Sequence, residues 1–300
     1  MVTESKLNVV IFGRGYIGLQ LLKQLSADNR INVSAFARAD FDYHDPRVVE
    51  RYYDLEGWPD VIINCAGFTG TPNVDQCEQA AFRQDCWNLN AQLPLQLATL
   101  CMSHAVKFIH ISSGCIYNGY EKIFTEDDEP NFGVDNVDSS FYAKSKHQAE
   151  LNLQAINYGT CLRIRMPFAG LVHSRNFLSK ISKYSVLLNS ENSLTCVEDF
   201  AQFVNSFIMS EHFRRIFDIY NVVNPGVVTN RYIKTVLQET NYSILAEAEM
   251  LANKMLIAHR SNCILSDRKI QEIGMQLPPV TASLDAAVHS LVLAGFKPVQ

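Results

Sequence analysis

Leu7-Asn8-Val9-Val10-Ile11-Phe12-Gly13-Arg14-Gly15-Tyr16-Ile17-Gly18-Leu19-Gln20-Leu21-Leu22 is the stretch from which the fold is read. A mostly apolar, β-branched run closes on glycines, and the apolar residues from Tyr16 onward recur at helical spacing, so the segment reads as strand, tight turn and helix. Working outward, the same alternation continues. Strands are expected at 32–37, 60–66, 107–112 and 160–165, and helices at 46–54, 80–104 and 142–156. Repeated βα units with apolar strands imply an α/β fold, a doubly wound parallel sheet of Rossmann type with both faces covered. Beyond Pro167 the pattern is less regular, with a helix at 197–210, a strand at 219–223 before the Pro225-Gly226 turn, and mostly helical sequence after it. We therefore assign 1–167 to a dinucleotide-binding domain, to which 190–223 returns. Residues 168–189 and 224–300 form a smaller C-terminal substrate-binding region, with a cleft between the two.

Composition narrows the function. With 47% hydrophobic and 19% charged residues in 300, the chain is an ordinary globular protein and not a disordered or low-complexity scaffold. A chain of this length buries roughly 75% of its unfolded surface, so its core needs no staples. A formal net charge of −5 offers no general attraction for nucleic acid or anionic membrane surfaces. The opening Met-Val-Thr-Glu-Ser-Lys-Leu-Asn lacks the apolar core of a signal peptide, and no segment is apolar enough to span a bilayer, so a cytoplasmic protein is expected. Eight cysteines without a C-x-x-C pair read as reduced thiols. The acidic run Glu126-Asp127-Asp128-Glu129 reads as a solvated loop, and no metal site is expected.

Gly13-Arg14-Gly15-Tyr16-Ile17-Gly18 fits G-x-G-x-x-G between a strand and a helix, where absent side chains let backbone N–H groups approach a pyrophosphate. Cys65, Ala66 and Gly67, at the end of a following strand, extend the expected cofactor site. NAD-binding proteins often carry an acid at the end of the second strand; here Phe36-Ala37-Arg38 stands there, and Arg38 with Arg14 favours the 2′-phosphate of NADP. Tyr142 and Lys146, four apart on a helix, share one face shortly after a strand ending in Ser112-Ser113. A phenol can exchange a proton near neutrality only where an ammonium and a hydroxyl stabilise its phenolate. Asn90 is a candidate to support Lys146 through a relay.

In this order of glycine turn, serine and Tyr-x-x-x-Lys, the chain resembles the extended short-chain dehydrogenase/reductase family. Further stretches sharpen the likeness: Gly67-Phe68-Thr69-Gly70-Thr71-Pro72-Asn73-Val74-Asp75-Gln76-Cys77-Glu78, Ser113-Gly114-Cys115-Ile116, Asp128-Glu129-Pro130-Asn131-Phe132, Asn176-Phe177 with Lys180, Asn224-Pro225-Gly226-Val227-Val228 and Arg260-Ser261-Asn262. These look like the bifunctional nucleotide-4-keto-6-deoxyglucose 3,5-epimerase/4-reductases of rhamnose synthesis and the related dTDP-4-dehydrorhamnose reductases. The glycine turn is one residue shorter than the family's usual G-x-x-G-x-x-G, and Ser113 stands where the subgroup commonly has threonine.

The resemblance implies a reduction with NADP(H) by Ser113, Tyr142 and Lys146, and epimerisation with Cys115 as base and Lys180 as acid. It further implies Asn176 and Arg260 at the nucleotide diphosphate, with Thr69 and Asn73 on the sugar side. The expected partner is a UDP- or dTDP-linked keto sugar, with a homodimer and an upstream 4,6-dehydratase as further expectations. Two other readings use the same residues: a reductase without epimerase activity, and a non-catalytic NADP-binding regulatory subunit. Cys115 and Lys180 favour the bifunctional enzyme over the first. Ser113, Tyr142 and Lys146 count against the second.

Overall fold

The computed structural model describes residues 5–296; the N-terminal reading rests in part on residues 1–4, which lie outside the described residues. In its first half the chain runs β1 (Leu7–Phe12), α1 (Tyr16–Ser26), β2 (Ile31–Phe36), α2 (Pro46–Glu56), β3 (Val61–Asn64), α3 (Ala80–Trp87), α4 (Leu93–Ser103), β4 (Lys107–Ser113), α5 (Phe141–Ala155) and β5 (Thr160–Ile164). Then follow α6 (Phe177–Ile181), β6 (Val186–Leu188), β7 (Glu191–Asn192), α7 (Val197–Ile208) and β8 (Asp218–Asn221). Six strands form one parallel sheet in the order β2-β1-β3-β4-β5-β8. Strand order reverses between β1 and β3, and in such sheets the crevice beyond the strands' carboxyl ends receives the ligand.

Because side chains alternate along a strand, each strand feeds both layers. Val9, Ile11, Ile63, Ile109 and Leu162 pack with Leu21 and Leu25 of α1 and Phe200 and Val204 of α7. Val10, Phe12, Ile62, Phe108 and Cys161 face the other way, onto Val49 of α2, Leu97 of α4 and Leu153 of α5. The remaining elements are β9 (Val228–Thr229), α8 (Asn230–Val236), β10 (Ser243–Leu245), α9 (Glu247–Ala252), α10 (Arg268–Glu272) and α11 (Val280–Leu293). Two short ladders, β6 with β10 and β7 with β9, cover a separate core built from Phe168, Leu178, Ile181, Ile233, Leu284 and Leu291. Ile270 and Leu277, from the stretch assigned to the substrate region, pack instead into the core beneath the sheet.

Residues 80–104, expected as a single helix, are divided. A π turn at Asn88–Gln92 separates α3 from α4. Pro94 has no N–H to give the carbonyl of Asn90 four residues back, so the regular ladder fails there. Among the described residues, no helix is long and apolar enough to cross a membrane.

Candidate active site

The site begins where β4 ends. Ser113 Oγ accepts from the Cys115 backbone N–H at 3.2 Å, which caps a short 3₁₀ turn over Gly114–Ile116 and sets Cys115 just past the strand's carboxyl end. Opposite stands α5, capped by Ser140, whose hydroxyl accepts from Ala143 N–H at 3.2 Å. Its inner face presents Tyr142, Lys146 and Glu150 at successive turns, all buried. Glu150 is held by Arg163, with Nη2 donating to Oε2 at 2.7 Å, and by Ser112 Oγ at 2.5 Å. This clamp fixes the helix against the sheet.

Lys146 Nζ donates to the carbonyl of Ile111 at 2.8 Å and lies 3.3 Å from His110 Nε2. Burial pushes its ammonium down to about 8. Burial, and then Lys146, hold His110 well below its ordinary range, so the imidazole is neutral at pH 7. Burial is also the largest influence on Tyr142, pushing its phenol up; Cys115 adds to the rise and the hydrogen bond with Ser113 opposes it. The sequence suggested a phenolate stabilised by its neighbours. Burial outweighs them, and the phenol keeps its proton, the state needed for a donor.

A cavity of about 890 Å³ runs from the glycine turn across this site into the C-terminal region. Gly15, Tyr16, Ile17, Cys65, Ala66 and Gly67 line one end; Ser113, Cys115, Tyr142 and Lys146 the middle; Thr69, Asn73, Lys180 and Arg260 the other end. A side chain at Gly15 would meet nothing within 4 Å, so the turn opens onto the cavity, whereas a Cβ at Gly13 (φ +97°) would lie 2.5 Å from Ala66 N. Gly18 likewise packs on the Gly13 carbonyl. Gly15 also leaves the N-terminus of α1 without a side-chain cap. Open glycine, uncapped helix start and the ammonium of Lys146 fit the pyrophosphate and ribose of a dinucleotide. Among the described residues, the lining carries five Lys or Arg side chains (Lys146, Arg175, Lys180, Lys183, Arg260) and no carboxylate. An acidic protein thus encloses a basic chamber.

Several expected site residues sit elsewhere or are otherwise engaged. Gly13, Arg14, Gly18, Arg38 and Asn176 do not line the cavity. Arg14 pairs with Asp40 at 3.0 Å and Arg38 approaches Asp42 at 3.9 Å, all partly solvent-exposed. Asn176 is buried and caps α6: its Oδ1 accepts from Leu178 N at 3.1 Å and Ala169 N at 3.3 Å, while Nδ2 donates to the carbonyls of Ala169 and Leu171. Both ends of the Asn176 amide are thus engaged within the protein, in contrast to the diphosphate role the resemblance implies. Arg260 makes a bidentate pair with Asp75 at 2.6 Å, joining the C-terminal region to the loop that carries Asn73. Asn90 makes no direct hydrogen bond to Lys146; it brackets the backbone of Phe68 (2.7 and 2.9 Å) and donates to Ser145 Oγ at 3.0 Å. The acidic run is not a solvated loop throughout. Glu126 accepts from Asn221 N at 2.6 Å, and Asp128 from Lys122 and Thr125.

Sequence reasoning missed three contributors. His110 behind Lys146 was signalled by an imidazole inside an apolar strand. Arg175, lining the cavity, donates to Thr69 Oγ1 at 2.7 Å and to the Gly70 carbonyl. Arg165 is fully buried beside Cys115, with Nη1 3.5 Å from the sulfur. The signal for Arg165 was a charge within the apolar run Cys161-Leu162-Arg163-Ile164-Arg165.

The parallel sheet with its glycine turn, and the Ser113, Tyr142 and Lys146 set at its carboxyl edge, define an extended short-chain dehydrogenase/reductase scaffold. The chain belongs to the RmlD substrate binding domain family, whose pattern matches residues 7–292. The bifunctional dTDP-4-dehydrorhamnose 3,5-epimerase/dTDP-4-dehydrorhamnose reductase of Arabidopsis thaliana is 30% identical over 94% of this chain and 92% of its own. The trifunctional UDP-glucose 4,6-dehydratase/UDP-4-keto-6-deoxy-D-glucose 3,5-epimerase/UDP-4-keto-L-rhamnose-reductase RHM1 of the same plant is 31% identical over 75% of this chain, which spans only 34% of that longer protein. Among solved structures, the L780 UDP-rhamnose synthase of Acanthamoeba polyphaga mimivirus superposes with a TM-score of 0.82 at 26% identity, covering 95% of this chain and all of that one. A dTDP-4-dehydrorhamnose reductase from Bacillus anthracis in complex with NADP shares the fold, with a TM-score of 0.78 at 20% identity over 96% and 99% of the two chains.

Proposed function

We propose that this chain is an NADPH-dependent 3,5-epimerase/4-reductase that converts a UDP- or dTDP-linked 4-keto-6-deoxyglucose to the L-rhamnose nucleotide. The observation that carries the reading is that Cys115 and Lys180 line the same cavity as Ser113, Tyr142 and Lys146. An anionic sugar nucleotide matches a chamber lined by lysines and arginines without an acid. A 4,6-dehydratase supplies such a keto sugar.

In the reduction, bound NADPH supplies a hydride to C4. Tyr142 gives its proton to the oxygen that gains the carbonyl's electron pair, and the Ser113 hydroxyl orients that oxygen. Lys146 faces the resulting phenolate as its counter-charge. Gly15, Tyr16 and Ile17 would hold the pyrophosphate of the dinucleotide, and Arg14 and Arg38 would leave Asp40 and Asp42 to meet a 2′-phosphate.

In the epimerisation, the thiolate of Cys115 takes the proton beside the ketone. The C–H electron pair passes into the enolate, and the ammonium of Lys180 returns a proton to the carbon from the opposite face. Burial, and then Arg175, lower the Lys180 ammonium from its usual range, which suits a proton donor. A monofunctional reductase would need neither group at the cavity wall.

Purified protein supplied with UDP- and dTDP-4-keto-6-deoxyglucose and NADPH in deuterated water tests the reading. Loss of NADPH absorbance with deuterium at both C3 and C5 of the product is expected. Reduction without labelling leaves a reductase only, and no NADPH consumption with either sugar rejects the enzyme.

A further inference from the structure

Arg165 is the most deeply enclosed cation of the site, with no exposed surface. Its backbone is pinned on both sides: N–H donates to Thr195 Oγ1 at 3.0 Å and the carbonyl accepts from Thr195 N at 2.8 Å. The guanidinium then spends its donors on neutral acceptors. Nη1 reaches Ser261 Oγ at 3.0 Å, and Nη2 reaches the Ser261 carbonyl at 2.7 Å and Asn192 Oδ1. Nε has no partner. No carboxylate pairs with this charge among the described residues. An arginine cannot shed its proton, and a buried ion without a counter-charge is costly.

Two thiols feel this charge, and they differ: Cys263 is buried, with burial pushing its thiol up, whereas Cys115 faces the cavity. Cys115 Sγ lies 3.5 Å from Nη1, half-buried and facing the cavity. The other groups that face the sulfur are Tyr142 and Lys146 from α5 and Cys263 from the C-terminal region. Lys146 can relieve its own burial by deprotonation; Arg165 cannot.

We infer that Arg165 is a positioning residue whose fixed charge is the counter-ion of a Cys115 thiolate, holding the sulfur in its proton-accepting form at the cavity wall. The inference rests on reading Cys115 as the epimerisation base. It adds a reason for a base at this place: the guanidinium beside the sulfur has no carboxylate to satisfy it among the described residues.

Alkylation reads the thiolate without turnover, since iodoacetamide forms the S–C bond and releases iodide only from the ionised sulfur. With Cys115 followed by peptide mass spectrometry at pH 7, Arg165→Met is expected to slow its alkylation at least about tenfold, and Arg165→Lys to recover most of the rate. Equal rates in the wild type and Arg165→Met, each folded by NADPH binding, overturn the inference. Where Arg165→Met does not fold, the charge is tested from the other side. Cys115→Asp, which completes an ion pair, is expected to melt above the near-isosteric Cys115→Asn by about 2–4 °C or more. A lower or equal melting point contradicts it. The base assignment is separated by labelling: if Cys115→Ser still takes deuterium at C3 and C5 while alkylation depends on Arg165, the counter-ion stands and the base lies elsewhere. If labelling is lost while alkylation is indifferent to Arg165, Cys115 remains the base and the counter-ion role is overturned.

Discussion

Arg163 and Arg165 lie two residues apart at the end of β5, both sealed from solvent, yet their surroundings differ. Arg163 has a full counter-charge: Glu150 accepts from its Nε and Nη2 at 2.7–3.2 Å, and Tyr117 accepts from Nη1 at 3.0 Å. Arg165 has only amide, hydroxyl and carbonyl oxygens and the sulfur of Cys115. The first arrangement is a scaffold, locking α5 to the sheet so that Tyr142 and Lys146 face the cavity. The second leaves a charge incomplete beside the sulfur proposed as the base. A buried cation with its acid holds structure, and one without it is available for chemistry; Lys146, whose hydrogen bonds go only to neutral partners, belongs with the second kind.

The contrast can be broken from its strongest point downward. Glu150→Gln strands Arg163 and should cost about 3–5 kcal/mol of unfolding free energy in chemical denaturation; a loss below about 1 kcal/mol would mean that the clamp contributes little. Lys146→Met should act oppositely on stability while removing reduction. Its ammonium is lowered from 10.5 to about 8, so the folded protein carries the penalty in full below pH 8. The variant should be more stable at pH 7 by on the order of 3 kcal/mol, and the advantage should fade as pH rises from about 8 to 10.5, because the folded lysine is by then neutral. An advantage independent of pH would show that packing and not charge sets it.

Asn176→Ala should lower stability by about 1–2 kcal/mol through the lost cap while the KM for the sugar nucleotide is unchanged. A raised KM without destabilisation would return Asn176 to the diphosphate. The smallest effect is expected at the rim: Arg14→Ala with Arg38→Ala should raise the KM for NADPH about tenfold and leave that for NADH alone, since only a 2′-phosphate draws these side chains from Asp40 and Asp42.

Much of this arrangement could be read from residue order. The sheet was legible because strands buried on both faces leave apolar runs between glycine turns, and Tyr142 with Lys146 because a four-residue spacing puts both on one helical face. The π turn was hidden because the helical spacing over 80–104 runs on through Pro94, whose missing N–H breaks the ladder without disturbing the apolar pattern. Asn176 illustrates a different limit, since a capping asparagine and a ligand-binding one carry the same letter. The neutral surroundings of Arg165 come from partners 27 and 96 residues away, Asn192 and Ser261, and no local pattern records that.

The most direct test of two chemistries around one ring separates them in deuterated water, with the keto sugar and NADPH supplied to Tyr142→Phe and Cys115→Ser in parallel. Tyr142→Phe should label C3 and C5 while NADPH oxidation falls at least about a hundredfold. Cys115→Ser should fail to label the sugar yet reduce one that is already epimerised. If either substitution abolishes both activities in a folded protein that still binds NADPH, or if neither affects its assigned step, the division of labour described here is wrong.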